Sequence, residues 1–503
     1  MRKRLFLNTT MPLVYQIIAV ICGFILPGLI IGEYGTDVNG LVASINQFLQ
    51  IVAFLEFGLG PVVQANLYKP LVNKDNEMIS KIWVSANKFF RNVAFILIAY
   101  SLILMVIFPL IVETSVDYFS TSFLIFSMSI NMFSQYYFGI VNRLLLNADQ
   151  KSYIQYLTVT IALIFNTIFC AILIKLHFSI QLVKFISSLI FLLQPIYLYI
   201  YVKKHYKIDK KIKYTEEPIK QKWNGIAQHI STVILDSTDI IILSIFSTLE
   251  SVSVYNVYHM VVYGIRRAFY STTKGIEAVF GNLIATNDTQ KLISFFNKVE
   301  WTFHNIVIII FGCTATLIIP FVTVYTVKFT DANYIEPLFA LLLVIAHGMH
   351  CLRLPYHTLI LSAGHFKQTQ SNYIIGTVLN IVISLVMVYK FGLIGVAIGT
   401  LVAMTYQTIG MIIYDNNNII KGRIFIIIKQ VISDVLIIFI SIILFKISNI
   451  SLNNITYLDW IIMSLKTLLI WFISFLFVNF LLYRRELIRF FKKIVNKISK
   501  KGE

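Results

Sequence analysis

Apolar residues follow one another along this chain in long runs, and short polar segments separate the runs. Each run holds about 20 residues, which as a helix crosses a hydrocarbon core of about 30 Å. The pattern predicts an all-α polytopic membrane protein with fourteen transmembrane helices. The predicted spans lie near residues 11–31, 40–62, 93–112, 119–141, 154–174, 180–202, 226–247, 253–280, 302–327, 335–361, 372–389, 392–414, 430–447 and 460–483.

The composition agrees with this interpretation. Of the residues, 57% are hydrophobic and 13% are charged, with a mean hydropathy of +0.77, whereas soluble domains carry about 25% charged residues. No polar stretch is long enough for a separate soluble domain. The four cysteines lie inside apolar runs at unrelated spacings, so we interpret them as packing residues and predict neither a metal site nor a cofactor.

The net charge of +18 indicates orientation in the membrane rather than a nucleic-acid partner. With the N-terminus in the cytoplasm, 32 of the 42 Lys and Arg residues fall in cytoplasmic segments and four in outer loops. Such a bias follows the positive-inside rule. The distribution therefore predicts that both termini are cytoplasmic.

The two halves of the chain repeat at an offset of 214 residues. Asn166 falls on Asn380, and the apolar block at 119–141 falls on 333–355. Each half contains an even number of spans, so the halves are parallel repeats, and a substrate site between like halves is typical of transporters. The predicted organisation is a six-helix lobe at 1–202, a cytoplasmic linker at 203–224, a second six-helix lobe at 225–414, and two extra helices with a basic cytoplasmic tail at 415–503.

A separate amphipathic helix is predicted between the second and third spans. Residues 67–90 carry lysines and Trp83, with apolar residues at helical spacing. This composition is typical of a cytoplasmic helix that lies on the bilayer surface.

Polar residues inside the spans share helical faces, most clearly in span seven. An ionisable side chain within a span costs about 2.5–3.5 kcal/mol on insertion, so such residues usually face protein or water. Positions three and four apart share one side of a helix. In span seven this face carries His229, Thr232, Asp236 and Asp239.

Span eight carries the longest polar stripe. Its members recur at intervals of four and three residues, and Arg266 lies beside them. The stripe consists of Tyr263, Arg267, Tyr270, Lys274 and Glu277. An alternative for Lys274 and Glu277 is an internal pair at i, i+3.

Span ten places His350, Arg353 and His357 on one side, with His347 near its margin. A single histidine in such a helix is more often a hydrogen-bonded core residue than a ligand. Spans two and four add Glu56, Asn131, Gln135 and Arg143. The alternative for Arg143, near a cytoplasmic boundary, is that its charge extends to the membrane interface.

A central aqueous cavity between the lobes would accommodate all of these faces; separate buried pairs are the alternative. Arg binds phosphate bidentately and Lys binds it as a point charge. We therefore predict a substrate with an anionic, diphosphate-like part. The predicted substrate-binding residues are Arg267, Lys274, Arg353, Tyr270, His350, His357 and Arg143. The residues predicted to bind a coupling H⁺ or Na⁺ are Asp236, Asp239 and Glu56.

Short motifs stand near the start of each half. The first half contains Tyr-Gly-Thr-Asp-Val-Asn-Gly at 34–40, Phe-Leu-Glu-Phe-Gly-Leu-Gly at 54–60 and Tyr-Lys-Pro-Leu at 68–71. The second contains Thr-Asp-Ile-Ile-Ile at 238–242 and Val-Ser-Val-Tyr-Asn-Val-Tyr at 252–258. These segments and the two-lobe layout resemble the bacterial polysaccharide repeat-unit flippases of O-antigen and capsule synthesis, within the multidrug/oligosaccharidyl-lipid/polysaccharide exporter superfamily.

The resemblance implies a flippase that moves undecaprenyl-diphosphate-linked oligosaccharide from the inner to the outer leaflet of the bacterial plasma membrane by alternating access. It also implies contact with membrane lipid and with polysaccharide-assembly machinery. Arg267, Lys274 and Arg353 would contact the diphosphate or acidic sugars. Among the predicted coupling residues, Glu56 and Asp239 lie within the matching motifs.

Three alternatives compete with this interpretation. A peptidoglycan-precursor flippase shares the architecture, but basic residues expected in its first span are missing between Met11 and Ile31. A drug/cation antiporter of the same superfamily would have a more acidic cavity than the stripe in span eight indicates. A membrane glycosyltransferase or polymerase needs a sizeable catalytic loop, and the outer loops here are short, so we predict that the protein is not an enzyme.

Overall fold

A computed structural model describes residues 2–56, 58–219 and 226–489 of the 503-residue chain. This described part is helical and contains no β-strand. The α-helices are α1 Arg2–Gln50, α2 Leu59–Asn73, α3 Asn76–Ile111, α4 Tyr118–Ser134, α5 Ile140–Ala148, α6 Ser152–Lys175, α7 Ile180–His205, α8 Ile226–Phe246, α9 Leu249–Ala285, α10 Thr289–Thr326, α11 Pro337–Ser362, α12 Gln370–Phe391, α13 Leu393–Asn418, α14 Ile424–Ile447 and α15 Tyr457–Leu482.

Twelve of the fourteen predicted spans fall on a single helix each, and spans two and four are divided between helices, which confirms the predicted all-α fold class. Eleven stretches in the described part are long and apolar enough to cross a membrane. The first stretch contains span one and most of span two. Gly35 kinks α1 between the two spans, with non-helical backbone angles of φ +89° and ψ 170°, and a glycine adopts such a φ without strain. Span four is shared between the 17-residue α4 and α5, which a π-helix at Gln135–Gly139 connects. Span eight is the charged helix α9.

The predicted surface helix at 67–90 is wrong as a separate element. α2 ends at Asn73, and α3 runs without interruption from Asn76 through the third span to Ile111. Asp75 separates the two helices because its side chain accepts a hydrogen bond from the Met78 amide at 2.9 Å, which caps α3. Lys81 and Lys88 therefore lie on the first four turns of a membrane-crossing helix, whereas Lys69 belongs to α2 and Lys74 lies between the two helices.

Equivalent helix ends in the two halves share an unusual backbone conformation. Three residues of the first half have φ near +55°, and each has a counterpart with positive φ in the second half. The pairs are Lys74 with Asn287, Gln150 with Gly364, and His177 with Gly392, at separations of 213, 214 and 215 residues. Asp288 caps α10 as Asp75 caps α3, and its contacts with the Lys291 side chain and amide lower the pKa of the Asp288 carboxyl.

The chain forms two compact units. The first contains Met1–Met260, Lys328–Ala332 and Asn380–Val396. The second contains Val261–Val327, Asn333–Leu379 and Ala397–Glu503. The division of the chain into lobes at 1–202 and 225–414 stays a prediction.

In the second unit, α14 and α15 pack on α10. The buried side chains of Cys313 and Leu317 from α10 meet Ile437 from α14 and Trp471 from α15. A Cβ added to Gly312 would lie 2.1 Å from the Trp471 ring, so the two helices touch where α10 lacks a side chain. The two C-terminal helices are therefore packed into the core of this unit.

Candidate functional site

Asp239 is the centre of a buried polar cluster in the first unit. It lies on α8 and is 4% exposed. The Tyr255 hydroxyl donates to its Oδ2 at 2.9 Å, and the Asn380 side-chain amide donates to its Oδ1 at 3.4 Å. One turn further along α12, the Ser384 hydroxyl donates to the Val396 carbonyl at 3.4 Å. A buried carboxylate beside hydroxyl and amide side chains is a candidate for binding an H⁺ or a Na⁺.

The other predicted residues of α8 contact α1 and the turn that follows it. Asp236 is half-buried, and its carbonyl oxygen accepts from the Gln47 side chain at 3.4 Å. The His229 Nε2 lies 3.1 Å from the Ala53 carbonyl oxygen, to which it donates in one tautomer. Two side chains of the predicted polar face of span seven, His229 and Asp239, thus make contacts within the first unit.

Glu56 lies where the second span is broken. A 3₁₀-helix at Ile51–Glu56 follows α1, and Gly58 has φ of +67° before α2 begins. The Tyr136 hydroxyl, from the π-helix in span four, donates to Glu56 Oε1 at 2.9 Å. Arg143 is half-buried one helix further on, in α5. A carboxylate between a 3₁₀-helix and a π-helix stands at a point where both spans depart from regular geometry, which is frequent at functional sites.

Arg353 is the centre of a basic cluster in the second unit. It lies on α11 and is 6% exposed. Its Nη2 donates to His350 Nδ1 at 2.9 Å, and its Nη1 donates to Gln407 Oε1 of α13. Arg266, His347 and His357 also lie close enough to His350 to act on it electrostatically. This part of the second unit therefore concentrates positive charge.

Arg266, rather than Arg267, joins this basic cluster. Arg266 is 6% exposed, with its guanidinium 4.7 Å from the centre of the Tyr263 ring. Arg267 is exposed and lies 5.5 Å from the same ring, and Tyr270 is 45% exposed. The Lys274 side chain lies outside the part of the structure that is described. The sequence pattern gave Arg266 only a secondary place, although it is the buried arginine of α9.

His357 of α11 and Glu277 of α9 also contact neighbouring residues. His357 is half-buried, and its ring centre is 6.1 Å from that of Tyr373. The Glu277 carbonyl oxygen accepts from the Ser362 hydroxyl at 3.2 Å. Three His, Cys, Asp or Glu residues do not come together as a metal site anywhere among the described residues.

Two buried polar pairs on α10 were missed from the sequence. His304 Nδ1 lies 2.6 Å from Asp434 Oδ2 of α14, and Gln430 donates to the other oxygen of Asp434 at 3.1 Å. One turn earlier, Glu300 pairs with Arg423. A signal was present, because Glu300 and His304 are four residues apart, as are Gln430 and Asp434, and each pair shares a helix face.

Glu300 joins three helices of the second unit. It accepts from Arg423 at the start of α14 and from the Tyr356 hydroxyl of α11. Arg423 also donates to the Asn297 side chain at 2.8 Å, and its guanidinium lies 4.6 Å from the centre of the Phe296 ring. These contacts fix the entry of α14 onto α10, so their role is structural.

Solved transporter structures share this fold. The lipid II flippase MurJ in an inward closed conformation aligns with a TM-score of 0.72 at 15% identity, over 96% of this chain and 100% of that one. An inward-facing multidrug resistance MATE family transporter of the MOP superfamily aligns with a TM-score of 0.61 at 13% identity, over 79% and 94% of the two chains. The Vibrio cholerae MATE transporter VcmN in its bent form gives 0.56 at 10% identity, over 83% and 98%.

No protein-family model and no curated protein matches the chain. The likeness to MurJ extends over nearly the whole chain, whereas the likenesses to the two MATE transporters cover about four-fifths of it. The chain is a multi-pass membrane protein with the fold of the MOP-superfamily flippases and transporters.

Proposed function

We propose that the protein is a flippase that moves undecaprenyl-diphosphate-linked oligosaccharide repeat units from the inner to the outer leaflet of the bacterial plasma membrane. The observation that carries this proposal is the full-length likeness to a lipid II flippase, which covers 96% of this chain. Both C-terminal helices are packed against α10 and belong to the same compact unit. The motifs at 34–40, 54–60 and 238–242 favour polysaccharide repeat units as the substrate.

The basic cluster of the second unit supplies the recognition chemistry. Arg353 is buried and donates to His350 and Gln407. A guanidinium can also donate bidentate hydrogen bonds to a diphosphate. Arg266 adds positive charge to this cluster, and Arg267, which is exposed on the same helix, can contact the substrate directly.

Asp239 supplies the coupling chemistry of the proposal. Its carboxyl group is buried beside Tyr255 and Asn380, so an H⁺ or a Na⁺ would relieve the cost of a buried negative charge. A cation bound in one conformation and released in another links transport to an ion gradient. Glu56 and Asp236 are the further carboxylates proposed for this role.

Two further parts of the proposal concern the surroundings of the protein. Both termini are proposed to lie in the cytoplasm. Polysaccharide-assembly proteins are proposed partners.

The test uses a strain from which the gene has been deleted. Lipid-linked repeat units should accumulate on the inner leaflet, and the wild-type protein should restore surface polysaccharide. Arg353→Ala and Arg267→Ala should fail to restore it at normal membrane levels. Full complementation by both variants would contradict recognition of the substrate by cationic residues. Transport that is unaffected by collapse of the proton and sodium gradients would contradict coupling to an ion gradient.

Lipid II is the second candidate substrate, because the neighbour aligned over the whole chain is a lipid II flippase. It carries the same diphosphate–polyprenyl part, so the basic cluster fits both substrates. The two candidate substrates differ in their sugar part, so the experiment must test which sugar the protein transports. Rescue of a strain depleted of its own lipid II flippase would favour lipid II, whereas rescue of surface polysaccharide alone would favour repeat units.

A further inference from the structure

A cavity of about 540 Å³ opens within the first unit, and its described lining includes neither Asp239 nor Glu56. It is lined by α3, the π-helix, the end of α7 and the linker that follows α7. Its charged lining residues are Lys88, Arg91 and Lys210. Among the residues that the structure describes, no carboxylate lines it. The cavity therefore presents three positive charges without an acidic group in its wall.

Tyrosine side chains hold two of these cations in place without neutralising them. The Arg91 Nη2 donates to the Tyr137 hydroxyl at 2.7 Å, and the guanidinium lies 4.5 Å from the centre of that ring. The Lys210 Nζ donates to the Tyr199 hydroxyl at 2.7 Å and lies 4.5 Å from its ring centre. Neutral aromatic partners orient a cation and leave its charge available to an anion.

The linker is a structural part of this cavity. The Asp209 amide donates to the Ser80 hydroxyl at 3.0 Å, and the Ser85 hydroxyl donates to Glu217 at 2.5 Å. These contacts bind the linker to α3 on both sides of Lys210. Lys210 consequently reaches the cavity from a fixed backbone, 5.6 Å from the centre of the Trp83 ring.

The cavity lies where α3 changes from a polar to a lipid-facing surface. Lys88 and Arg91 belong to the polar turns, and Phe95, one turn later, both lines the cavity and is 52% exposed. Beyond it, Leu102 and Ile103 are 57% and 56% exposed. A cationic cavity that continues into an exposed apolar helix face matches an amphiphile with an anionic head and hydrocarbon tails.

We propose that this cavity binds the phosphate-bearing headgroup of a membrane lipid, with the acyl chains lying along the exposed face of α3. Arg91 contacts the phosphate bidentately, and Lys88 and Lys210 add point charges. Tyr137 and Tyr199 offer hydroxyls to the polar part of the headgroup. The site is independent of the proposed translocation and holds for a transporter of any substrate.

The test measures the binding of phosphatidylglycerol to the purified full-length protein by native mass spectrometry. Removing three charges in K88Q/R91Q/K210Q should weaken binding at least about thirtyfold, and K88Q alone about fivefold. The matched control K203Q/K204Q/K207Q removes three exposed lysines that lie outside the lining of the cavity, and should stay within about twofold of wild type. Equal losses in the two triple variants would show non-specific attraction and overturn the site.

Two further measurements test the binding site and the identity of its ligand. Lys88 is exposed, so K88Q leaves the fold intact, and an unchanged affinity in that variant would contradict the proposal. Inorganic pyrophosphate separates a lipid from a free anion as the ligand. Pyrophosphate that binds this cavity as tightly as phosphatidylglycerol does would overturn the assignment to a lipid, whereas weak binding of pyrophosphate supports it.

Discussion

Asn39 donates a hydrogen bond from its side-chain amide to the Ser253 hydroxyl at 2.7 Å, and the two residues are 214 apart, the offset at which the sequence repeats. Both are buried, Asn39 on α1 and Ser253 on α9. Two positions that the 214-residue offset makes equivalent are therefore in direct contact.

The close approach beside this bond predicts opposite effects for one substitution at two positions of α1. A Cβ on Gly40 would lie 1.9 Å from the Leu249 carbonyl oxygen, whereas a Cβ on Gly23 would meet nothing within 4 Å. Gly40→Ala should destabilise the protein by about 1–3 kcal/mol through overpacking. Gly23→Ala should stabilise it by about 0.5–1 kcal/mol, because alanine favours the helix. Melting temperatures in detergent that move in the same direction would contradict the close packing.

Neutralising Asp239 should remove the dependence of transport on an ion gradient. Asp239→Asn keeps the size of the side chain and an acceptor for Tyr255, but it removes the charge that would bind the cation. We expect gradient-driven transport in proteoliposomes to fall about tenfold, with normal insertion into the membrane. The control is Asp117→Asn, the same change at an exposed helix cap where Asn caps as well as Asp. Unchanged gradient dependence in Asp239→Asn would exclude this carboxylate.

The charge and the planar shape of the Arg353 guanidinium should contribute separately to substrate binding. Arg353→Gln removes the charge, and we expect substrate binding at least about tenfold weaker. Arg353→Lys keeps the charge but loses the planar fork, so it should restore part of the affinity. Binding of a fluorescent lipid-diphosphate analogue measures both. The same changes at exposed Arg485 should have no effect, and equal losses in the two Arg353 variants would show that charge is not the important property.

The buried pair of His304 and Asp434 predicts a non-additive effect on stability. Either His304→Leu or Asp434→Leu leaves one polar group buried without its partner, which typically costs about 3–5 kcal/mol. The double variant replaces the pair with apolar side chains and should recover most of that loss. Thermal unfolding of the wild-type protein, the two single variants and the double variant in one detergent measures whether the two losses of stability are additive. Additive losses would mean that the two residues do not stabilise each other.

The sequence pattern was sufficient for the helices but not for the way in which they meet. Runs of about 20 apolar residues predict spans because each run must cover the hydrocarbon core. They do not show that α1 is kinked at Gly35, or that Lys74 and Asp75 cap the end of one helix and the start of the next. These helix boundaries depend on single residues, and the average composition of a run does not show them.

The candidate site was predictable to the level of helix faces. Spacing correctly grouped His350 with Arg353, because both lie on one helix and are three residues apart. It ranked Arg267 above Arg266, since periodicity assigns a residue to a side of α9 but does not say which side another helix covers. The pair of Glu300 and Arg423 joins residues 123 apart, and no local pattern connects them.

The break after α1 has a mechanical consequence. In the first half, the second span is interrupted by a 3₁₀-helix and the left-handed Gly58, whereas its counterpart α9 runs unbroken for 37 residues, about 55 Å. A rod of that length transmits a force applied at one end to the other, while an interrupted helix can bend at its break. The two halves share an order of helices, but the first half can bend at a break where the second half has one continuous, rigid helix.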